Sequence, residues 1–308
     1  MNSVNHLSRS FSRLFKKKVA ILCLILIVTI YFLGIFAPLI APYDYNYQDY
    51  SAIREPPSWE HIAGTDFKGR DVFSRVLWGI QNTVIITFVT ILSGSLLIGV
   101  SLGLIAGYFG GKIDSFIMRL GELFACFPDI LLVILLAATL RPRILEFVRW
   151  IEDNTLIEGL VKSGTADYLV ISLALVSFSW VGMARLVRGQ VLSLKENEYI
   201  ESAKAMGSST SRILFIHLLP NALSPIIITV SMGMGSLIGT EIILSWLGLG
   251  IQPPRPSLGN MLLEGGSISA IRSVPWMLVT PGIVAWTLVL TWNLFGDSLN
   301  DVFNPRTR

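Results

Sequence analysis

Charge is what this chain has least of. Only 15% of its 308 residues are Asp, Glu, Lys or Arg, against about 25% in soluble domains. That is too little to cover a globular surface. With 52% hydrophobic residues and a mean hydropathy of +0.63, the chain reads as an integral membrane protein. The formal net charge of +3 is too small to point to nucleic acid as a partner. Cysteine is also scarce. Cys23 and Cys126 both sit in apolar runs and read as small buried hydrophobes. Without a CxxC or Cys/His cluster no metal site is expected, and His6, His61 and His217 are far apart in sequence.

Catalytic patterns are absent too. The closest approach to a phosphate-binding loop is Ala106-Gly107-Tyr108-Phe109-Gly110-Gly111-Lys112-Ile113. Its first Gly is replaced by Ala106 and its Mg²⁺-binding hydroxyl by Ile113. The segment reads instead as a Gly-rich turn, so no ATP hydrolysis and no bound cofactor are expected of this chain. Gly296-Asp297 would end a Gly-x-Gly-Asp motif, but Leu294 stands where the first Gly belongs. A membrane aspartyl enzyme needs two facing carboxylates, and the spans hold no such pair.

What is present is a set of long apolar runs. A membrane-crossing helix needs about 20 such residues. Six runs qualify, near Val19–Ala41, Thr83–Tyr108, Phe116–Thr139, Tyr168–Val187, Leu223–Leu247 and Trp276–Phe295. The expected fold is therefore all-α and polytopic, with six transmembrane helices. Arg9, Arg13 and Lys16-Lys17-Lys18 precede the first run. That run is too long for a signal-peptide core and no A-x-A site follows, so an uncleaved anchor is expected. The basic cluster places the N-terminus in the cytoplasm. Six crossings return the C-terminus, with Arg306 and Arg308, to the same side. The asymmetry is imperfect, because Arg54, Lys68, Arg70, Arg75, Arg141, Arg143 and Arg149 fall outside. The organisation that follows is a cytoplasmic tail (1–18), a first span (19–41), an external segment (42–82), a body of about five helices (83–299) and a cytoplasmic tail (300–308). Between Arg141 and Asp167 apolar residues recur at helical spacing, interrupted by Glu146, Arg149, Glu152, Asp153 and Glu158. Charges at a bilayer centre cost about 2.5–3.5 kcal/mol each, so this is expected to be an amphipathic helix or helical loop outside the membrane.

The segment between the fourth and fifth runs is polar and helix-forming. Leu192–Met206 is rich in Lys, Glu, Ala and Leu. Gly207 and Ser208-Ser209-Thr210 should break the helix, Ser211 should cap a second helix through Phe215, and Leu219-Pro220 should stop it. The expected product is a helix–turn–helix projecting from the membrane, with Gly207 allowing a tight turn or close approach by a partner.

Two further clusters carry expectations. In Gly64-Thr65-Asp66, Gly69-Arg70-Asp71 and Ser74-Arg75, Thr65 or Asp66 could cap a helix. Asp66/Arg70 and Asp71/Arg75 are i,i+4 pairs worth about 0.2–0.5 kcal/mol each. A self-stabilised external helix explains them, with contact to a substrate or a partner protein as the functional alternative. Glu241 lies well within the fifth run, where a carboxylate is expensive and faces a partner or a cavity. An arginine on another subunit, a hydrogen bond with Thr240 and a position on a translocation path are all open. Asp297 and Asp301 lie at the cytoplasmic end of the last span and are expected to cap or pair there.

The polar segment resembles the EAA loop of the permease subunits of ABC importers. That family's pattern is Glu-Ala-Ala, three residues, Gly, nine residues, then Ile-x-Leu-Pro. Here Glu201-Ser202-Ala203, Gly207 and His217-Leu218-Leu219-Pro220 keep the spacing, with Ser202 and His217 as the departures. His217 followed by Leu-Leu-Pro-Asn221 resembles the dipeptide/oligopeptide/nickel branch. So do Phe36–Asp44, the GTD-x-x-GRD-x-x-SR signature at 64–75, Ala184-Arg185-x-x-Arg188, Leu244–Gly250 and Pro253–Ser257. Leu258 stands where Trp is usual, and the 141–167 insert is long. The chain thus resembles the second, C-type permease over nearly its whole length.

The resemblance implies a prokaryotic inner (plasma) membrane subunit that pairs with a sister permease around a central path. It also implies two cytoplasmic ABC ATPase subunits, which hold ATP and Mg²⁺, and an external substrate-binding protein. The cargo would be a di- or oligopeptide, or another of the branch's cargoes such as a nickel chelate, an oligosaccharide or an antimicrobial peptide. Glu201, Ser202, Ala203, Gly207, His217, Leu219 and Pro220 would couple the spans to an ATPase. Asp66, Arg70, Asp71 and Arg75 would form the external motif, and Glu241 and Asp297 would face the path or an interface. The competing class is a self-contained secondary transporter or channel, which would need intramembrane ion sites or an inverted repeat.

Overall fold

The structure, a computed structural model, describes residues 13–155, 159–161 and 163–303. His6, Arg9, Leu156, Ile157, Glu158, Arg306 and Arg308, and with them parts of both predicted tails, lie outside these residues. The described residues are helical, apart from loops and one isolated antiparallel bridge between Thr65 and Asp71.

The first run forms α1 (Lys18–Ile35), followed by the one-turn α2 (Ala37–Ile40), with Pro38 in its first turn. The second forms α3 (Val72–Thr90), a π-helical segment (Ile91–Gly99) and α4 (Val100–Phe109) without interruption. This helix begins eleven residues before the expected Thr83, because Ser74, Arg75 and Asn82 are buried inside the protein instead of facing lipid. Gly110 and Gly111, with φ of 64° and 55°, make the expected turn.

The third run departs from expectation. It is two helices, α5 (Gly111–Ala125) and α6 (Asp129–Asn154), meeting at 89°. Pro128 supplies no N–H and disfavours helical geometry at Phe127, so the break falls there. Cys126, expected to be buried, is exposed at this bend, whereas Cys23 is buried. The charged stretch from Arg141 is helical as expected. It is not a separate element, however, but the outer half of α6.

The fourth run is α7 (Thr165–Leu194), the fifth belongs to α10 (Leu219–Trp246) and the sixth to α13 (Trp276–Phe303). Among the described residues, five helices are thus long and apolar enough to span a bilayer, or six if the bent pair is one span. Between α7 and α10 lie α8 (Glu198–Ala205), α9 (Thr210–Arg212) and a π-helical segment (Ile213–Leu218). Beyond α10 lie α11 (Leu258–Gly265) and α12 (Ile268–Ser273). The end of the bundle carrying α8 is the near end here, and the opposite one the far end.

Two packing devices matter for function. Gly99, Gly103 and Gly107 recur every four residues and lay α4 directly on α7. A Cβ at these positions would sit 2.8 Å from the Met183 Cβ, 2.7 Å from the Val187 Cβ and 2.7 Å from the Val191 Cβ, respectively. Small residues at this spacing let helix backbones approach closely in membranes. At the near end, the Arg188 guanidinium pairs with Asp114, Nη2 lying 2.6 Å from Oδ2, which joins α7 to α5. Lys17 Nζ lies 2.9 Å from the Asp301 carboxylate and joins the start of α1 to α13.

Candidate functional site

The near-end projection is built on an apolar core of its own. Ile200 of α8 is fully buried among Val187 and Val191 of α7, Val100 and Leu104 of α4, and Ile213, Leu214 and Leu218 of the π-helical segment. Ala203, on the same face of α8, is 2% exposed. The opposite face presents Glu201, Ser202, Lys204 and Ala205 to the outside. Glu198 and Glu201 fall in the first turn of α8 and Lys204 in its last, each favourable to the helix dipole.

Gly207 ends α8 with a φ of 76°. Its N–H donates to Lys204 O at 2.9 Å and that of Ser208 to Ala203 O at 3.0 Å, the paired bonds of a Schellman motif, which favours glycine. A Cβ on Gly207 would meet nothing within 4 Å, so conformation alone demands glycine and the space beside it is open. Met206, 80% exposed, stands next to it, and Phe215 and Ile216 are exposed nearby in sequence.

Three polar contacts fasten the projection. Lys195 Nζ donates to Gly107 O at 3.2 Å, Lys204 Nζ lies 5.8 Å from the centre of the Tyr108 ring, and Asn221 Nδ2 donates to the Tyr199 hydroxyl at 3.4 Å. The projection is therefore fixed to α4, α7 and α10 together. It can transmit a push to them as one body.

Two expectations about its second half are corrected. Ser209, not Ser211, caps α9, accepting from Arg212 N. Leu219-Pro220 does not stop the helix, because residues from Thr210 to Trp246 form one helical rod. A proline inside a helix clashes with the carbonyl four residues back. Here π-helical turns at 213–218 precede it. His217 and Pro220 are half-buried within the rod, and the carbonyl of His217 accepts from Asn221 Nδ2 at 2.6 Å.

At the far end residues 64–71 of the motif form a loop, and Ser74 and Arg75 lie in the first turn of α3; together they build a buried ion cluster. Asp66 Oδ2 accepts from Arg70 Nε at 2.6 Å and Arg75 Nη1 at 2.7 Å, while its Oδ1 accepts from the backbone N–H of Lys68 and Arg70. Glu264 of α11 completes the cluster, 3.0 Å from Arg75 Nη1 and 3.3 Å from Arg70 Nη2. The expected Asp71/Arg75 pair does not form. Asp71 instead caps α3 through Ser74 N at 2.7 Å and meets His61 Nδ1 at 3.0 Å. The expected cap at Thr65 or Asp66 is likewise replaced by this one. Asp66, Arg70, Asp71 and Arg75 are all at most 4% exposed, so the cluster bolts the 42–71 segment to α3 and α11.

Glu241 finds its partners within the chain, though not at Thr240. It is fully buried, accepting from Thr83 Oγ1 at 2.8 Å and Ser245 Oγ at 2.9 Å. Thr240 turns instead to Ser236 O. Glu241 thus joins α10 to α3 within this chain. Glu241→Leu strips the acceptor from two buried hydroxyls, a cost of about 1–3 kcal/mol. Glu241→Gln keeps an acceptor, so it should lower the melting temperature less and retain uptake per folded molecule. Lost uptake at normal stability would return Glu241 to the path. Asp297 is exposed, one turn before the paired Asp301.

A cleft inside the bundle that sequence reasoning missed lies between the 91–99 segment, α7 and α10, with a volume of about 200 Å³. Ser95, Ser179, Thr229 and Ser236 line it together with Gly182 and Gly233, and no charged side chain does. Scattered hydroxyls and glycines within apolar runs are its only sequence trace.

Residues 99–308 match the family described as the inner membrane component of binding-protein-dependent transport systems. Residues 7–57 match the N-terminal transmembrane domain of oligopeptide transport permease C. The chain is 38% identical over 299 residues to a dipeptide transport system permease protein of Alkalihalophilus pseudofirmus, covering 97% of this chain and 90% of that protein. It is 36% identical over 291 residues to an oligopeptide transport system permease protein of Bacillus subtilis, at 94% and 87% coverage. A glutathione transport system permease protein of Pectobacterium atrosepticum is 37% identical over 302 residues, at 97% and 91%.

Proposed function

The chain belongs to the family of binding-protein-dependent inner-membrane transport components, as a C-type permease subunit of an ABC importer, and from that premise we propose how its surfaces are used. The face of α8 carrying Glu201 and Ser202, with Met206 and Gly207 at its tip, docks on a cytoplasmic ATPase subunit. Two such subunits hold ATP and Mg²⁺, and this chain is their non-catalytic membrane partner. Both termini and α8 lie in the cytoplasm, and the far end faces outward toward the substrate-binding protein. A sister permease completes the pathway, its counterpart here being the uncharged cleft lined by Ser95, Ser179, Thr229 and Ser236. Neutral hydroxyls suit the repeating peptide groups of a di- or oligopeptide, the cargo class named for two of the relatives.

The observation that carries this reading is the union of an exposed tip with a buried root. Because Ile200 is locked into the core shared by α4, α7 and α10, displacement of α8 must displace those helices. Alternating access then follows if the ATPases bind α8 differently in their open and closed states, since a ligand shifts an equilibrium only by its differential affinity. Against a self-contained transporter stands Glu241, whose carboxylate is occupied internally by Thr83 and Ser245.

The test is purification of the complex in mild detergent with mass spectrometry of its components. A second permease and two ATPases per chain are expected. Recovery of this chain alone, under conditions that keep other membrane complexes intact, would contradict the assembly. Glu201→Lys reverses an exposed charge on α8 without disturbing its core, and should reduce ATPase co-purification by about tenfold at low salt. Undiminished recovery would remove Glu201 from the interface.

A further inference from the structure

A cleft of about 230 Å³ opens at the far end between the outer half of α6, the start of α7 and the 252–255 loop. Arg141, Asp167, Gln252 and Arg255 supply its polar lining, and Leu145 and Val161 part of its apolar wall. Its charges do not balance. Both oxygens of Asp167 are engaged, Oδ1 by Arg141 Nη2 at 2.5 Å and Oδ2 by the N–H of Gln252 at 3.0 Å. Arg255 donates from Nη1 to the neutral Tyr168 hydroxyl at 2.9 Å. Its Nε is buried without a partner among the described residues. Arg141 thus holds the Asp167 carboxylate, Arg255 has no carboxylate partner among the described residues, and a buried N–H of Arg255 remains unmet, which costs free energy until an acceptor arrives. The N-terminus of the thirty-residue α7 adds a positive field to the same wall.

The fork is also held in position. The stem of Arg255 lies against Gly164, where a Cβ would be 3.0 Å from Arg255 Cδ. Its guanidinium sits 5.8 Å from the centre of the Tyr168 ring. The Tyr168 hydroxyl donates to Asn82 Oδ1, and Asn82 Nδ2 donates to Pro256 O at 2.6 Å. Behind Val161, Glu152 accepts from the N–H groups of Gly159 and Val161 at 2.8 and 3.1 Å, outside the lining of the cleft. A pre-oriented guanidinium with a free N–H and an excess positive charge fits a planar carboxylate.

We propose that this cleft receives an acidic side chain of the external substrate-binding protein and fixes the register in which that protein docks. The inference rests on the importer reading and its orientation. The location selects the binding protein over the cargo as the source of the carboxylate. The cleft is made from outermost segments, and its lining is separate from that of the uncharged cleft within the bundle. Its size suits one side chain better than a peptide.

The experiment uses the assembled transporter in nanodiscs and the system's purified binding protein, with and without peptide, at low and high ionic strength. Arg255→Gln should weaken docking of both forms of the binding protein about tenfold or more and flatten the salt dependence. Leu145→Glu, which places the chain's own carboxylate in the cleft while leaving the Arg255–Tyr168 contact in place, should do the same. It thereby guards against misfolding of the first variant. Wild-type affinity in both variants overturns the inference while leaving the importer reading intact. Unchanged docking with selective loss of uptake for peptides bearing a free C-terminal carboxylate, and not for amidated ones, assigns the carboxylate to the cargo and also overturns it. Failure of the wild-type chain to assemble with ATPases or binding protein is a different result, and strikes the importer reading itself.

Discussion

Gly207→Trp should abolish binding-protein-stimulated ATP hydrolysis and uptake while leaving the chain inserted and paired with its sister subunit. The φ of 76° is left-handed backbone, which costs a non-glycine residue about 1–2 kcal/mol. That cost falls at the tip of α8, outside the core formed by Ile200 and its neighbours, so insertion and melting temperature should change little. The indole, however, would fill space in which the chain itself places nothing within 4 Å of a Cβ. If that space belongs to the ATPase, docking is blocked by bulk. A graded series separates the two causes. Gly207→Asn tolerates the left-handed conformation and adds little volume, so it should retain more coupling than Gly207→Ala would predict from size alone. Gly207→Trp should lose the most. Normal uptake by the Trp variant would leave the tip free of any partner.

Asp66→Ala should reduce the yield of folded protein more than any other single change in the 64–75 segment. One oxygen of Asp66 serves both Arg70 and Arg75, and all three side chains are at most 5% exposed. Removing the acid leaves two buried guanidiniums with only Glu264, whose side chain is 32% exposed. Breaking a buried ion pair by deleting one partner costs about 3–5 kcal/mol. Arg75 Nε is already without a hydrogen-bond partner among the described residues, so no spare acceptor stands ready to compensate. Glu264→Gln, at the rim of the cluster, should cost much less. Thermal stability in detergent together with membrane yield reads both effects. Normal yield of Asp66→Ala with lost uptake would mean that the motif contacts cargo or a partner instead of holding the far end together.

Much of the architecture was legible because lipid imposes a simple rule on sequence. Runs of about 20 apolar residues must be helical, and their positions survive in α1, α4, α7, α10 and α13. Features fixed by contacts between distant residues were not legible. Asp66, Arg70, Asp71 and Arg75 stand at helical spacing, so local pairing was expected. The Asp66/Arg70 pair forms as expected, but Arg75 turns to Asp66 and to Glu264, nearly two hundred residues away, and Asp71 turns to His61. A partner for Glu241 was expected, but its donors, Thr83 and Ser245, are unremarkable in sequence and could not be picked out. Pro220 looked like a stop, yet the π-helical turns ahead of it carry the helix through. Pro128, by contrast, lies inside an apolar run whose hydropathy concealed a right-angle break. The α8 segment was the most readable, since helix formers, a Gly at the C-terminus and a polar face are all local signals. Its rigid attachment through Ile200 and the Gly99/Gly103/Gly107 stripe was not.

The central claim is that the tip of α8 is where this permease meets an ATPase. It is tested most directly by placing a photo-crosslinking residue at Met206 in the full complex in native membranes. The account expects an adduct between this chain and the ATPase subunit, with a yield that changes when ATP is bound. Adducts formed only with lipid or with the sister permease, in complexes that still contain the ATPase, would contradict it.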